Sequence, residues 1–308
     1  MSTINTDRVR RNVTSAAPAS ARSVEAVHRS TSFHWVGDGF FVATYFPSEA
    51  LPAERVSPFL LMDYGPERRF APLARGKRGV GWHPHRGFET VTLAWAGAVA
   101  HRDNAGHAGV IGPGDAQWMT AASGIFHEEY HEEEFARRGG PFHMMQLWVN
   151  LPRKHKAAAP GYQPLQASQI PNVLLPGGGH ARVLAGEYEG TRGPAKTFTP
   201  ITMLDARLNA GERLSVPLPA SYNALAVVAD GSVSAGGVQA ASGELLLFAN
   251  DGRRLELEAQ REAHVIVLAG EPIDEPIVQY GPFVMNTVDE IRQAMLDVQS
   301  GEFGPIPD

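Results

Sequence analysis

Residues 81–92 read Gly81-Trp82-His83-Pro84-His85-Arg86-Gly87-Phe88-Glu89-Thr90-Val91-Thr92. Two histidines stand two residues apart, directly before a run of β-type residues. Residues i and i+2 of an extended strand point to the same face, so His83 and His85 can direct both imidazoles at one point. Pro84 favours this extended form because it cannot continue a helix. Two surface histidines in a loop are an equally simple interpretation of this motif alone.

A second stretch, Gly124-Ile125-Phe126-His127-Glu128-Glu129, repeats the spacing with His127 and Glu129. Two such pairs on neighbouring strands would bring three imidazoles and one carboxylate together. That donor set suits Fe(II), Mn, Co, Ni, Cu or Zn, and it suits Ca or Mg poorly because those ions prefer oxygen. Two pairs separated by about 40 residues are typical of a cupin barrel.

Five longer motifs carry a family resemblance: HPHRGFETVT (83–92), GPGDAQWMTAASGIFHEE (112–129), MMQLWVNLP (144–152), SPFLLMDYGP (57–66) and LAGEPIDEPIVQYGPFVMNT (268–287). Over residues 30–300 the chain resembles the pirin family of bicupin proteins. Matched residue by residue, the resemblance implies the metal ligands His83, His85, His127 and Glu129. Ala122 and Phe126 replace the Gly and Leu usual in the family, and we expect both to reshape the pocket near His127.

The resemblance also implies an activity, the O2-dependent cleavage of a flavonol ring by a quercetin 2,3-dioxygenase. We name Fe(II) first as the cofactor, with Ni, Co, Mn, Cu or Zn as alternatives. Glu129 would act as general base toward a hydroxyl group beside a carbonyl. The partners would be O2 and a small aromatic, flavonol-like substrate. The residues alone imply only a metal site with a carboxylate.

Other interpretations stay open at this stage. Glu89 is a rival ligand, since its spacing fits the general cupin pattern and its parity places it on the histidine face. His101 and His107 flank a turn. Hydrogen bonding to the metal ligands is one interpretation of the two histidines, and solvent-facing positions in a loop are the one we favour. A metal- or redox-dependent regulatory module that binds a protein partner is the alternative function, and a purely structural metal is the third.

Many short strands separated by Gly/Pro turns predict an all-β protein with two cupin (jelly-roll) barrels that face each other, followed by a short C-terminal helix. We predict an N-terminal tail over 1–30, disordered or lying over the barrel, and a metal-binding barrel over 31–152. A linker would span 153–194, and a barrel without metal would span 195–308. Thr287 and Glu290 form a capping-box pattern before the helix, and Gly301 marks its end. His264 is predicted to be a structural residue.

Composition limits the classes of function. The 308 residues include 33 acidic and 27 basic ones, for a net charge of −6, which argues against direct binding to nucleic acid or an anionic membrane. The absence of cysteine excludes disulfides and thiolate chemistry and fits a cytoplasmic protein. No apolar run approaches the roughly 20 residues of a membrane span. The basic, serine-rich start also fits a transit peptide.

Overall fold

The computed structural model describes residues 20–307, so most of the predicted tail, residues 1–19, lies outside the described residues. In chain order the first elements are β1 (Val24–His28), β2 (Phe33–Val36), β3 (Phe40–Phe46), α1 (Ala53–Val56), β4 (Phe59–Phe70), β5 (Gly79–His85), β6 (Phe88–Ala96), β7 (Val99–Asp103), β8 (Ala108–Ile111), β9 (Ala116–Thr120), β10 (Ile125–His131), α2 (Glu133–Arg138), β11 (Gly140–Asn150) and β12 (Gly161–Leu165). Short 3-10 turns cover Arg153–His155 and Ala167–Gln169.

The second half continues with β13 (Asn172–Leu174), β14 (His180–Ala185), β15 (Glu187–Tyr188), β16 (Thr191–Arg192), β17 (Ile201–Leu208), β18 (Arg213–Pro217), β19 (Asn223–Asp230), β20 (Ser232–Ala235), β21 (Val238–Ala241), β22 (Glu244–Phe248), β23 (Arg254–Ala259), β24 (Ala263–Gly270), β25 (Val278–Tyr280), β26 (Phe283–Met285) and α3 (Val288–Ser300). None of the helices in the described part of the chain is long and apolar enough to cross a bilayer.

Each half forms a barrel from one seven-stranded and one four-stranded sheet. In the first barrel the strand orders are β12-β9-β6-β11-β4-β3-β2 and β5-β10-β7-β8. In the second they are β1-β22-β19-β24-β17-β14-β13 and β18-β23-β20-β21. The all-β, two-barrel prediction is therefore confirmed. The two-stranded ladders β15-β16 and β25-β26 lie outside these sheets.

The two large sheets pack face to face through a shared apolar core. Alternate residues of β6, such as Val91 and Leu93, point into this core. Side chains from both barrels complete it, among them Trp118, Met145, Leu147, Leu225, Val227, Ile266 and Leu268. Each barrel also holds an apolar cluster of its own. Burial of both faces explains why these strands show little alternation between apolar and polar residues.

A polar cluster crosses the same interface. Asp205 accepts hydrogen bonds from His264 Nε2 at 2.6 Å and Arg182 Nη1 at 3.0 Å in the second barrel, and from Trp95 Nε1 at 3.1 Å in the first. Burial alone would raise the pKa of Asp205, but the His264, Arg182 and Trp95 contacts outweigh it and lower the pKa to about 2. His264 thus has a structural partner.

Several edge strands come from segments that the sequence interpretation assigned to a tail or a linker. Strand β1 pairs with β22 of the second barrel, although it precedes the first barrel in the chain. Strand β12, inside the predicted linker, pairs with β9 of the first barrel. Both strands cover edges that would otherwise leave backbone groups unpaired. The domain boundaries themselves stay predictions.

The C-terminal helix forms as its capping pattern predicts. The Thr287 side chain accepts a hydrogen bond from the backbone N–H of Glu290, and Gly301 ends α3 in the left-handed conformation. The Glu290 carboxylate reaches back to the backbone N–H of Asn286 rather than to that of Thr287. The helix packs its Ile291 and Ala294 beside Phe303, next to the strands that close one end of the first barrel.

Candidate metal centre

The two sequence pairs lie on adjacent antiparallel strands of the small sheet. His83 of β5 is the direct cross-strand partner of His127 of β10, and His85 is the partner of Ile125. The register shifts between His127 and Glu129, which marks a β-bulge. Such bulges re-aim side chains at barrel rims and active sites. The pairing therefore brings both motifs to one place, as the spacing predicts.

Three imidazoles converge at this point. The ring centroids of His83 and His127 are 4.2 Å apart, those of His83 and His85 are 4.8 Å apart, and those of His85 and His127 are 4.9 Å apart. One nitrogen from each ring falls within a group whose members all lie within 4.8 Å of one another. Three imidazoles this close can act together as metal donors.

Hydrogen bonds fix which nitrogen of His83 and His85 carries the proton. Nδ1 of His83 lies 2.7 Å from the carbonyl oxygen of Gly81, and Nδ1 of His85 lies 3.4 Å from that of Pro282. Because a carbonyl only accepts, both Nδ1 atoms must donate. In the neutral form each ring therefore keeps its lone pair on Nε2, which is the arrangement of a metal ligand.

A longer relay fixes His127 in the same way. Asp103 Oδ2 lies 3.3 Å from His101 Nε2, and His101 Nδ1 lies 3.4 Å from His127 Nδ1. In its neutral form His101 donates from Nε2 to this carboxylate, so its Nδ1 accepts and His127 Nδ1 donates. The lone pair of His127 is then on Nε2, a buried atom with no hydrogen-bond partner among residues 20–307. An unpartnered buried nitrogen is costly unless a ligand uses it.

Burial favours the neutral form of the two innermost histidines, His85 and His127. Burial holds the pKa of His127 well below its usual range, and the neighbouring His83, His85 and His101 lower it further. Burial likewise holds the pKa of His85 well below its usual range, and the neighbouring His83 lowers it further. Neutral imidazoles offer lone pairs to a metal, whereas protonated ones cannot.

Glu129 lies beside this group rather than inside it. Its carboxylate belongs to a second cluster with His101 and His127, whose atoms also lie within 4.8 Å of one another. Oε1 of Glu129 accepts a hydrogen bond from Gln117 Nε2 at 2.6 Å. The two clusters share His127. The three histidines are thus brought together as predicted, and Glu129 adjoins them through His127.

The same side chains line a cavity inside the barrel. Its volume is about 240 Å³, and His83, His85 and Glu129 form part of its wall. Apolar and aromatic side chains make up most of the rest, and these are Val36, Phe40, Val42, Val80, Met144, Trp148 and Pro282. An apolar cavity with a few convergent polar groups is the usual form of a small-molecule site.

Glu89 is not a donor at this site. It is buried and accepts a hydrogen bond from Thr120 at 2.7 Å, and it belongs to neither metal-competent cluster of the described residues. Burial raises its pKa to about 7 despite the hydrogen bond from Thr120. The parity argument fails because Arg86 and Gly87, with Gly87 at φ +92°, turn the chain between β5 and β6. The two strands belong to different sheets, so odd-numbered residues of β5 and of β6 need not face the same side.

The prediction for His101 is also wrong. Its side chain is buried and stacks on Tyr162, with ring centroids 4.7 Å apart and planes 11° apart. His107 is partly exposed and bonds Asp103 through Nδ1 at 3.0 Å. Alternation along β7 could have predicted this burial. Val99, His101 and Asp103 occupy alternate positions of the strand, and all three are buried. The sequence interpretation placed both histidines in a loop.

The two departures from the family pattern do not line the cavity. Ala122 is buried with φ +38°, a left-handed conformation that favours glycine. Phe126 packs against Phe303, with ring centroids 5.8 Å apart, beside the C-terminal helix. Ala122 lies in the turn before β10, and Phe126 packs on the side of β10 that faces the C-terminal helix. The expected reshaping of the pocket is therefore not seen.

Comparisons with known proteins agree with this geometry. The family model described as Pirin matches residues 41–149, and the model of the Pirin C-terminal cupin domain matches residues 203–304. The chain belongs to the pirin family. It is 47% identical over 283 residues to a Pseudomonas aeruginosa protein named "Putative quercetin 2,3-dioxygenase", covering 92% of this chain and 98% of that protein. Mouse pirin is 40% identical over 259 residues, which cover 82% of this chain and 84% of its own.

A solved structure shows the same fold. The structure of a quercetin 2,3-dioxygenase from Acinetobacter baumannii superposes with a TM-score of 0.89 at 42% identity. The match covers 94% of this chain and all of the other. The pirin relationship therefore spans both barrels.

Proposed function

We propose that His83, His85, His127 and Glu129 hold one divalent transition metal, Fe(II) before Ni, Co, Mn, Cu or Zn. The observation that carries the proposal is the convergence of three imidazoles, one nitrogen of each within 4.8 Å of the others, next to a second cluster that adds the Glu129 carboxylate. His127 Nε2 is buried without a partner in the described chain, and a metal would satisfy it. The donor set of three imidazoles and one carboxylate fits such an ion.

We further propose a quercetin 2,3-dioxygenase-type reaction on a flavonol-like substrate. A metal bound here would supply a Lewis acid and open coordination positions. The apolar wall, including Phe40 and Trp148, would hold a planar aromatic ring and exclude water. The names of the Pseudomonas relative and the Acinetobacter structure support this choice of substrate class.

We propose that Glu129 also acts as general base when its carboxylate is released from the metal. Gln117 holds its Oε1 atom at 2.6 Å, so Oε2 is the oxygen left to take the proton of the substrate hydroxyl. Gln117 is itself held by Tyr162, whose hydroxyl donates to Gln117 Oε1 at 3.0 Å. A fixed carboxylate loses little orientational freedom when it accepts the proton.

The test is metal content followed by O2 uptake with quercetin, in the wild type and in Glu129→Gln. The proposal expects one metal per chain and uptake that falls by about 10²-fold or more in the variant. One tightly held metal without uptake by the wild type would favour the regulatory alternative, in which metal state controls a protein partner. No metal after reloading would refute the ligand assignment.

A further inference from the structure

A row of polar side chains crosses the large sheet of the first barrel at a single level. Asp63 is the cross-strand partner of Thr44 and of Gln146, Gln146 is the partner of Thr92, and Thr92 is the partner of Gln117. These five residues lie on the adjacent strands β3, β4, β11, β6 and β9. Asp63, Gln146 and Thr92 line the cavity that His83 and Glu129 also line.

Hydrogen bonds join this row at both ends and leave a gap in the middle. Thr92 donates to Gln146 Oε1 at 2.6 Å and accepts from Gln117 Nε2 at 3.1 Å. Gln117 Nε2 also donates to Glu129 Oε1 at 2.6 Å. At the other end, Thr44 donates to Asp63 Oδ1. Within residues 20–307, Thr44 is the hydrogen-bond partner of the Asp63 side chain and Thr92 that of Gln146, which leaves Asp63 Oδ2 and Gln146 Nε2 without a protein partner. The cavity wall thus presents an acceptor, Asp63 Oδ2, and a donor, Gln146 Nε2, on neighbouring strands, and both are available to a ligand.

The surroundings make this pair unusual. The neighbouring wall is apolar, formed by side chains such as Val42 and Met144. Burial raises the pKa of Asp63, and the hydrogen bond from Thr44 and the charge of His34 only partly offset it. An apolar ring that covered this polar pair would cost free energy, because it would leave the two groups without hydrogen-bond partners. A bound molecule that donates to Asp63 and accepts from Gln146 would satisfy both.

The distance between this pair and the metal site sets the shape of that molecule. Asp63 lies two strands away from Thr92, which is within 3.4 Å of Glu129. Adjacent strands are about 4.8 Å apart, so Asp63 is roughly 10 Å from Thr92 across the sheet. A hydroxyl group both donates and accepts, and in a multi-ring phenol it can lie about this far from a chelating pair of oxygens.

We propose that Asp63 and Gln146 form a hydroxyl-binding subsite, which selects phenolic substrates that carry a hydroxyl on a ring remote from the metal-chelating one. The subsite rests on the proposed flavonol function and makes it more specific. Selection follows from differential pairing, because a ligand without the remote hydroxyl would cover both polar groups and leave them unpaired. The subsite would therefore act on substrate affinity rather than on metal binding.

The test compares two flavonols that share the chelating 3-hydroxy-4-keto unit. Quercetin carries further hydroxyls on its outer rings, and 3-hydroxyflavone carries none. Their affinities are measured by calorimetry without oxygen, on full-length protein loaded with one equivalent of Fe(II). The wild type should prefer quercetin by at least about tenfold. Asp63→Asn and Gln146→Leu should reduce this preference about tenfold, and neither should weaken the binding of 3-hydroxyflavone.

Asp289→Asn is the matched control, because Asp289 is exposed on α3 and far from the cavity. It should keep the wild-type preference. Equal wild-type affinity for the two flavonols would overturn the subsite and leave the proposed function standing, and this comparison needs no variant to fold. A variant that weakens both flavonols equally would also overturn the subsite. Failure of the wild type to bind either flavonol would overturn both proposals.

Discussion

Asp103→Asn tests the relay that fixes the proposed metal-binding nitrogen of His127. Asp103 Oδ1 accepts from the backbone N–H groups of Ala105 at 3.0 Å and His107 at 2.9 Å, and Oδ2 lies 3.3 Å from His101 Nε2. The two backbone donors will keep the oxygen of an asparagine in the Oδ1 position. Its amide nitrogen must then face His101 Nε2.

This orientation reverses the proton pattern. An amide N–H facing His101 Nε2 favours the tautomer of His101 that carries its proton on Nδ1. His127 Nδ1 would then have to accept, which moves the His127 proton to Nε2 and blocks the proposed ligand atom. Loss of such outer hydrogen-bond partners costs about 10- to 100-fold in metal affinity. That range corresponds to about 1.4–2.7 kcal/mol.

The assay is a competition titration of Co(II) or Zn(II) against a chromophoric chelator, with a thermal melt to verify the fold. The matched control is Asp115→Asn. Asp115 also accepts from backbone N–H groups in a turn of the same barrel, at Gly112 and Ala167, but it contacts no histidine of the site. We expect the control to bind metal as the wild type does. Wild-type affinity in a folded Asp103→Asn protein, or an equal loss in Asp115→Asn, would refute the relay.

Three further predictions concern the site and its scaffold. His127→Ala should abolish high-affinity metal binding while the fold remains, and one tightly held metal per chain by elemental analysis would contradict the assignment. Gly87→Ala should destabilise the chain by about 1–3 kcal/mol in denaturant unfolding, because φ is +92° and an added Cβ would lie 1.9 Å from a backbone carbonyl oxygen. Asp205→Asn should lower the free energy of unfolding by about 3–5 kcal/mol at pH 7, since it leaves His264 in the interface without its carboxylate. Because the folded pKa of Asp205 is lowered to about 2, this difference should be present above about pH 4 and shrink as the pH falls toward 2, which unfolding at pH 7 and pH 3 would show.

Local periodicity accounts for what the sequence could predict. The i, i+2 spacing of His83 with His85 requires only that one strand be extended, so the face shared by the two imidazoles follows from the strand alone. Turn residues at short intervals predicted the all-β barrels, and the cap at Thr287 predicted the last helix. Each of these features depends on a few consecutive residues.

The wrong predictions, for Glu89 and His101, both depended on contacts between segments that are distant in the chain. Parity placed Glu89 with the histidines, but the turn at Gly87 separates two strands that enter different sheets. His101 is buried because Tyr162 of β12 returns from beyond the barrel to cover it. The sequence around Glu89 or His101 contains neither fact.

The sequence by itself therefore determined the two i, i+2 pairs, the fold class and the terminal helix. The tertiary structure alone decided the relay from Asp103 to His127 and the row from Asp63 to Gln117. That row requires the strand order β4-β11-β6-β9, in which spatial neighbours are not neighbours along the chain. Pairing between distant strands is set by how whole sheets bury their apolar faces, and no single segment encodes that choice.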